Sequence, residues 1–420
     1  MNSLFKRTVS SEHGTGGAGS SGVERQQTSS ILDELIKKRT STSSSVRNSL
    51  DETRGEGVEE RQSEDPVVNS RVDNQESGTA GRQTVATQTT PRHSLDTMTN
   101  GVVRQGTSLL QGENLPMVQS RPYGTITTND GVEIFYEHFG STTVQQQHTT
   151  VVKPVVVLIH GWSGSRHYWD LNVRLIARHC KVVTFDLRHH GDSEKPAVGF
   201  HVARLASDLR DLLVALELNT VTVVGASMGA SIIWSYFELF GNGDGRIAKA
   251  IFVDQAPLQN LAPDWRGGST GCYDIQSLTR LQCRVVEDFK GFARDNARFC
   301  SSPAVPEDVL AVLESETLRA SKTALAALMA DHTALDWRPV LPTITVPCLN
   351  MIGKKSAVFP YWGCEEVSRL LPNCRTVYFE NENHWLYIEQ PNRFSKVVSL
   401  FARHGFDAFV TMDMQENTNV

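Results

Sequence analysis

The stretch "TVTVVGASMGAS", residues 220–231, decides how this chain is read. It opens as an apolar, β-branched run and ends in small residues. "MGASIIWSYFELF" then continues with the spacing of a helix. Gly225-Ala226-Ser227-Met228-Gly229 is a G-x-S-x-G pattern, which is weak alone in a chain rich in Gly and Ser. Its setting makes it specific, because strand–turn–helix is the arrangement that holds a serine exposed on a strained turn. The competing reading is a Gly-rich packing turn with a bystander serine.

Outward from this stretch, short apolar runs alternate with helical ones. The runs are "VVVLIH" (155–160), "KVVTFD" (181–186), "AIFVDQ" (250–255), "VPCLNMIG" (346–353) and "RTVYFE" (375–380). They are continuous rather than alternating, as buried parallel strands are. "RHYWDLNVRLIARH", "FHVARLASDLRDLLVALE" and "PNRFSKVVSLFARHG" supply the intervening helices. The pattern predicts an α/β fold with a mostly parallel sheet covered on both faces. From about 256 to 343 no strand is read and several helical segments are, so a helical cap is expected there. "YGTITT" and "VEIFYEHFG" around Asn129-Asp130-Gly131 predict a leading hairpin, and "STTVQQQHTT" a surface loop.

Before Ser120 the chain has one aromatic residue, Phe5, while all 7 Trp and all 8 Tyr lie beyond. A Ser, Thr, Gly and Gln-rich composition cannot bury enough apolar surface to offset its ordering entropy. Residues 1–118 are expected to be a disordered tail, 119–408 the folded domain, and 409–420 a C-terminal tail. Within the first tail, "SSILDELIKKRT" (29–40) has caps and one apolar stripe. It is either a transient helix or a segment through which the tail docks on a protein partner.

The net charge of −6, with both signs mixed throughout, argues against a nucleic-acid or anionic-membrane surface. No apolar run approaches the ~18 residues that a membrane span needs. The 7 cysteines form no CxxC pair and fit a reduced compartment. A cytoplasmic location is expected; the basic start "MNSLFKRTVSS" leaves a mitochondrial one as the alternative.

A serine hydroxyl needs a base to take its proton. His384 in "NENHWLY" follows the last apolar run and precedes the C-terminal helix, which brings it to the same edge of the sheet as Ser227. An oxyanion needs backbone N–H donors. Met228 supplies one, and Trp162 in "HGWSG" the other, with Gly161 letting the backbone approach substrate closely. His160 is expected to brace that loop.

"HGWSG", "FDLRHHGDSEKP", "GASMG", "VDQAP" and the late "NHW" together resemble the α/β-hydrolase fold family, most closely its small esterases and cofactor-free haloperoxidase-like members. The resemblance covers residues from about 120 to 408. It implies that Arg188, His189, Gly191 and Asp192 form a structural turn, at which the family usually has Gly where His189 stands. Asp186 is read as structural too.

In most of that family an orienting acid follows the seventh strand. Here the loop is "IGKKSAVFP" (352–360), with Ser356 at the expected place and no carboxylate. Asp254, at the end of the preceding strand, is the substitute, as in some lipases, dehalogenases and small esterases of the family. Ser356 then becomes an accessory partner. The competing role for Asp254 is to cap the first turn of the cap region.

The expected activity is serine hydrolysis of a small carboxylic ester or related acyl bond, with no cofactor or metal. Ser227 attacks, His384 handles the proton, Asp254 orients it, and Trp162 and Met228 hold the oxyanion. Trp169 and Leu258 join Gly161 as expected pocket residues. Trp265, Tyr273, Phe289, Phe292 and Trp337 offer apolar lining or simply pack the cap. The alternatives are a carbon–carbon hydrolase or perhydrolase using the same residues, and a ligand-binding or regulatory protein without turnover.

Overall fold

The chain enters its fold through a hairpin. Strand β1 (Tyr123–Thr127) runs antiparallel to β2 (Glu133–Phe139), with Thr127 opposite Glu133. Gly131 closes the turn at φ 85°, a conformation that costs a residue without Cβ little. In this computed structural model residues 122–146 and 149–408 are described. The expectations for 1–118, with the 29–40 helix, and for 409–420 lie outside the described residues.

The segment expected as a surface loop forms a small ribbon instead. Strand β3 (Thr143–Gln146) pairs antiparallel with β4 (Thr149–Val152). Thr and Val on both arms favour extended backbone. Pairing also satisfies N–H and C=O groups that a loop would leave to water.

The remaining strands are β5 (Val155–Ile159), β6 (Lys181–Phe185), β7 (Val221–Ala226), β8 (Ile247–Val253), β9 (Cys348–Gly353) and β10 (Cys374–Phe379). With the first hairpin they make an eight-stranded sheet of order β1-β2-β6-β5-β7-β8-β9-β10. The β1-β2 and β2-β6 pairs are antiparallel, and every later pair is parallel. The connection from β6 to β7 passes over β5. The carboxyl ends of β5 and β7 therefore flank a crevice at a topological switch point, where open α/β sheets bind ligands.

Alternate strand residues serve opposite faces. Val157, Ile159, Val223 and Phe252 pack on one side with helices α2 (Val202–Ala215) and α3 (Met228–Phe240). Val156, Leu158, Val224 and Ile251 pack on the other with α1 (Asp170–Ala177) and the C-terminal helix, Pro391–His404. Truncating one such residue, as in Leu158→Ala, is expected to cost about 2–5 kcal/mol through lost transfer energy and an unfilled cavity.

Between β8 and β9 lie four helices, α4 (Ile275–Glu287), α5 (Phe289–Phe299), α6 (Glu307–Thr317) and α7 (Lys322–Ala334). They are fastened to the loops that follow β5 and β6. Trp162 Nε1–H donates to Leu325 O at 2.9 Å, Ser165 Oγ to Glu316 Oε2 at 2.7 Å, and Ser321 N–H to His189 O at 2.8 Å. Arg319 bridges Glu316 and Asp192. Beyond β9 come α8 (Tyr361–Leu370), the single turn α9 (Leu386–Glu389) and α10, the C-terminal helix already given. Among the described residues no helix is long and apolar enough to cross a membrane.

Candidate active site

Ser227 stands alone between the last residue of β7 and the first of α3, at φ 53° and ψ −123°. Side chains rarely occupy this region without a functional reason. The flanking glycines make the turn sterically possible. A Cβ at Gly225 would press onto the Gly229 carbonyl, and one at Gly229 would sit 2.5 Å from Ile159 O. Among the described residues, four of the six non-glycine residues at positive φ are Ser163, His189, Ser227 and Asp254. All four lie in loops just beyond β5, β6, β7 and β8, so backbone strain gathers at the carboxyl edge of the sheet.

Asp254 follows β8 at φ 48° and is fully buried. Its Oδ2 accepts from His384 Nδ1 at 2.7 Å and from Ser356 Oγ at 2.6 Å; Oδ1 accepts the Gly353 N–H at 3.0 Å. An ionised carboxyl only accepts, so Nδ1 carries the ring proton and Nε2 keeps a free lone pair. Asp254 is thus bound to three groups from two loops and does not act as a helix cap. Its nearest following helix, α4, is capped by Asp274.

His384 is held by more than its acid. Its backbone N–H and that of Ala357 both donate to Asn383 Oδ1 at 2.7 Å, while Asn383 Nδ2 donates to Phe299 O at 3.0 Å. Asn383 thereby ties the loops after β9 and β10 to the end of α5, a role that a lone Asn beside a His does not signal in sequence.

Ser227 and His384 border one cavity of about 380 Å³, as do Gly161 and Trp162. Met228 is the first residue of α3, where a backbone N–H has no partner within the helix. Among the described residues neither this N–H nor that of Trp162 donates a hydrogen bond. Ser227 Oγ is also without a partner there; catalytic contacts are often loose in the absence of substrate.

Two expected pocket residues are not in the cavity wall. Trp169 ends a 3₁₀ turn with its ring fully buried, 4.3 Å from Tyr387 and 5.9 Å from Phe394. Its neighbour Tyr168 takes the place in the wall. Leu258 packs with Ala256, Trp265, Ile352 and Phe359, and Gln259 lines the cavity instead. Of the cap aromatics Phe292 lines the cavity, whereas Trp337 packs on Trp234 in the core. Cap residues Cys272, Met329 and His332, and Cys300 just after α5, also border it; nothing in their spacing announced them.

The turn after β6 is structural. Buried Asp186 receives the Arg166 backbone N–H at 2.7 Å, the Asp192 N–H at 2.8 Å and the Arg166 guanidinium. His160 Nε2 accepts the Leu187 N–H at 3.0 Å, and its Nδ1–H donates to Gly161 O at 2.8 Å. The imidazole therefore braces the loop that carries Gly161 and Trp162. Burial, as the largest influence, pushes its pKa down. His189 sits at φ 72°, which accounts for the glycine usual at this position in the resembling family.

A family model described as the alpha/beta hydrolase fold matches residues 154–391. The chain is 26% identical over 279 residues to a non-heme chloroperoxidase of Streptomyces lividans, covering 64% of this chain and 95% of that protein. Its structure is similar to that of an esterase from Exiguobacterium antarcticum, with TM-score 0.60, 23% identity, and 66% and 98% of the two chains covered. It is also similar to a bromoperoxidase from Bacillus anthracis, with TM-score 0.61, 24% identity, and 67% and 100% covered.

Proposed function

The chain belongs to the α/β-hydrolase fold family, and on that premise we propose that it is a serine hydrolase that cleaves a small carboxylic ester, or a related acyl bond, through an acyl-enzyme. One observation carries the reading. A buried Asp254–His384 hydrogen bond of 2.7 Å leaves Nε2 as the only basic ring nitrogen, and His384 shares a cavity with a serine on a strained turn.

In this reading Ser227 Oγ attacks the carbonyl carbon while its proton passes to His384 Nε2. The carbonyl oxygen gains the negative charge, and the N–H groups of Trp162 and Met228 bind it. Collapse of the tetrahedral species breaks the bond to the leaving oxygen, which takes the proton from His384. Water then attacks the acyl-serine, with His384 again accepting the proton and giving it to Ser227 Oγ as the bond to the serine breaks and the acid departs. Asp254 keeps the ring in the correct tautomer throughout. Ser356 and the Gly353 N–H steady that carboxyl.

A second reading is perhydrolysis, with hydrogen peroxide as the acyl acceptor in place of water. The Streptomyces relative named a non-heme chloroperoxidase favours it. It uses the same residues and differs only in the second half-reaction. All seven cysteines are free, which supports a reducing compartment such as the cytoplasm.

The test is covalent labelling with a fluorophosphonate. Stoichiometric modification at Ser227, lost in Ser227→Ala and His384→Ala, is expected. A wild-type protein that stays unlabelled and hydrolyses no ester would return the chain to the non-catalytic, ligand-binding class.

A further inference from the structure

Among the buried titratable groups of the cavity that the mechanism leaves unused is one imidazole, that of His332. His332 lies on α7 in the cap, is 2% exposed, and borders the cavity that holds Ser227 and His384. Neither of its ring nitrogens has a hydrogen-bond partner among the described residues. Other buried polar atoms share that condition, among them ring nitrogens of Trp234 and Trp337, but these border no part of the cavity. Among the described residues His332 is the one on which both observations fall.

Its neighbours do not explain it. The adjacent carboxylate, Asp331, is engaged elsewhere, accepting from His201 Nδ1 at 2.9 Å and from the Val202 N–H at 2.8 Å. Met329, one turn earlier on α7, packs with Cys272 and Leu278 and offers no polar atom of use. A buried polar group without a partner is costly, and a native fold that keeps one where ligand binds gives a reason for its presence.

We propose that His332 is a specificity-determining residue. Its imidazole hydrogen-bonds a hydroxyl or carbonyl oxygen that the substrate carries away from the bond being cleaved, so the preferred substrates are neutral, oxygen-substituted acyl compounds. Burial pushes the His332 pKa down to about 4, which leaves the ring neutral at pH 7 with one donor and one acceptor. Such a ring matches an uncharged oxygen and gives no charge to a carboxylate. The cavity's one guanidinium, Arg284, is already paired with Asp295 at 2.6 Å and with Asp288. A volume of about 380 Å³ suits a compact molecule of this kind.

The turnover half of the proposal rests on the serine-hydrolase reading; the recognition half does not. Two measurements keep them apart. The first compares kcat/KM of the full chain on methyl hexanoate, methyl 3-hydroxyhexanoate, methyl 5-oxohexanoate and monomethyl glutarate. The wild type is expected to favour the hydroxy or oxo ester over the plain one by about tenfold or more. His332→Leu should collapse that ratio, and His332→Gln, which keeps a donor and an acceptor, should retain most of it. Thermal unfolding of each variant reports whether it is folded.

The second measures binding of the same four esters to Ser227→Ala and to Ser227→Ala/His332→Leu by calorimetry. If no ester is turned over but the first protein prefers the oxygenated ligands and the second does not, the recognition role stands and the hydrolase reading fails. Equal treatment of all neutral esters by wild type, or an unchanged ratio in His332→Leu, overturns the proposal. A preference for monomethyl glutarate overturns it too and assigns recognition to Arg284.

Discussion

Ser356 donates its hydroxyl to Asp254 Oδ2 at 2.6 Å, the same oxygen that receives the His384 ring proton at 2.7 Å. One carboxyl oxygen thus serves both side chains, while the other is occupied by Gly353 N–H. The consequence for activity is unequal. Asp254→Asn presents an amide that can no longer enforce the Nδ1–H tautomer, and kcat/KM on p-nitrophenyl butyrate should fall about 10³–10⁴-fold. Ser356→Ala removes one neutral donor and leaves the acid in place, so a loss of about tenfold or less is expected. Steady-state kinetics of the two variants decide it. A larger loss in Ser356→Ala than in Asp254→Asn would transfer the orienting role to the serine.

The strain at Ser227 has its own signature in stability. At φ 53° and ψ −123° a Cβ is unfavourable, and glycine occupies such backbone far more easily. Ser227→Gly and Ser227→Ala should both lose activity, yet the glycine variant should unfold at higher temperature, by about 1 kcal/mol or more in stability. The gain is partly offset by the extra freedom of glycine in the unfolded chain. Calorimetry of the pair checks this. Equal midpoints would mean that the turn carries no conformational strain.

How much of this was legible in sequence follows from what each signal depends on. The parallel strands were legible because both faces are buried, so that residues such as Val156 and Val157 must all be apolar. The meeting of Asp254 with His384 was legible only through the family resemblance, which implies an acid after the seventh strand or, in some members, at the end of the strand before it; 352–360 holds no carboxylate, which left Asp254. Trp169 was misassigned because consecutive residues on a tight turn point in different directions. Both aromatic rings are buried, and packing on Tyr387 and Phe394 takes that of Trp169 away from the cavity. His332 was invisible because lacking a partner is a property of the folded neighbourhood, not of spacing. The β3–β4 ribbon was missed because its polar composition resembles that of a loop.

Asn383 should behave as a positioning residue. Its side chain sets the backbone of His384 and Ala357 and reaches Phe299 O without bordering the cavity. Asn383→Leu is expected to lower kcat about 10²-fold by letting the imidazole drift, with KM little changed, since small displacements of reacting groups are costly. Asn383→Asp keeps both acceptor contacts but sets a carboxylate oxygen in place of the donor to Phe299 O, so it should recover part of kcat. A rise in KM at constant kcat would instead make Asn383 part of substrate binding.

The buried pair beneath the β5 loop links folding to acidity. Burial alone would raise the Asp186 pKa, but the Arg166 guanidinium, His160 and the N–H groups of Arg166 and Asp192 outweigh it and hold the carboxyl well below its usual range. The unfolded chain takes up that proton near ~4, the folded chain only at lower pH. In between, the unfolded state binds more protons, so stability falls as pH drops through the window. Asp186→Asn removes the charge and leaves Arg166, 4% exposed, without its closest counter-ion. It should be less stable at pH 7 by about 3–5 kcal/mol and lose stability less steeply between pH 5 and 3. Urea unfolding across that range separates the two effects. Parallel curves for variant and wild type would show that Asp186 takes no part in the acid response and that other carboxylates set it.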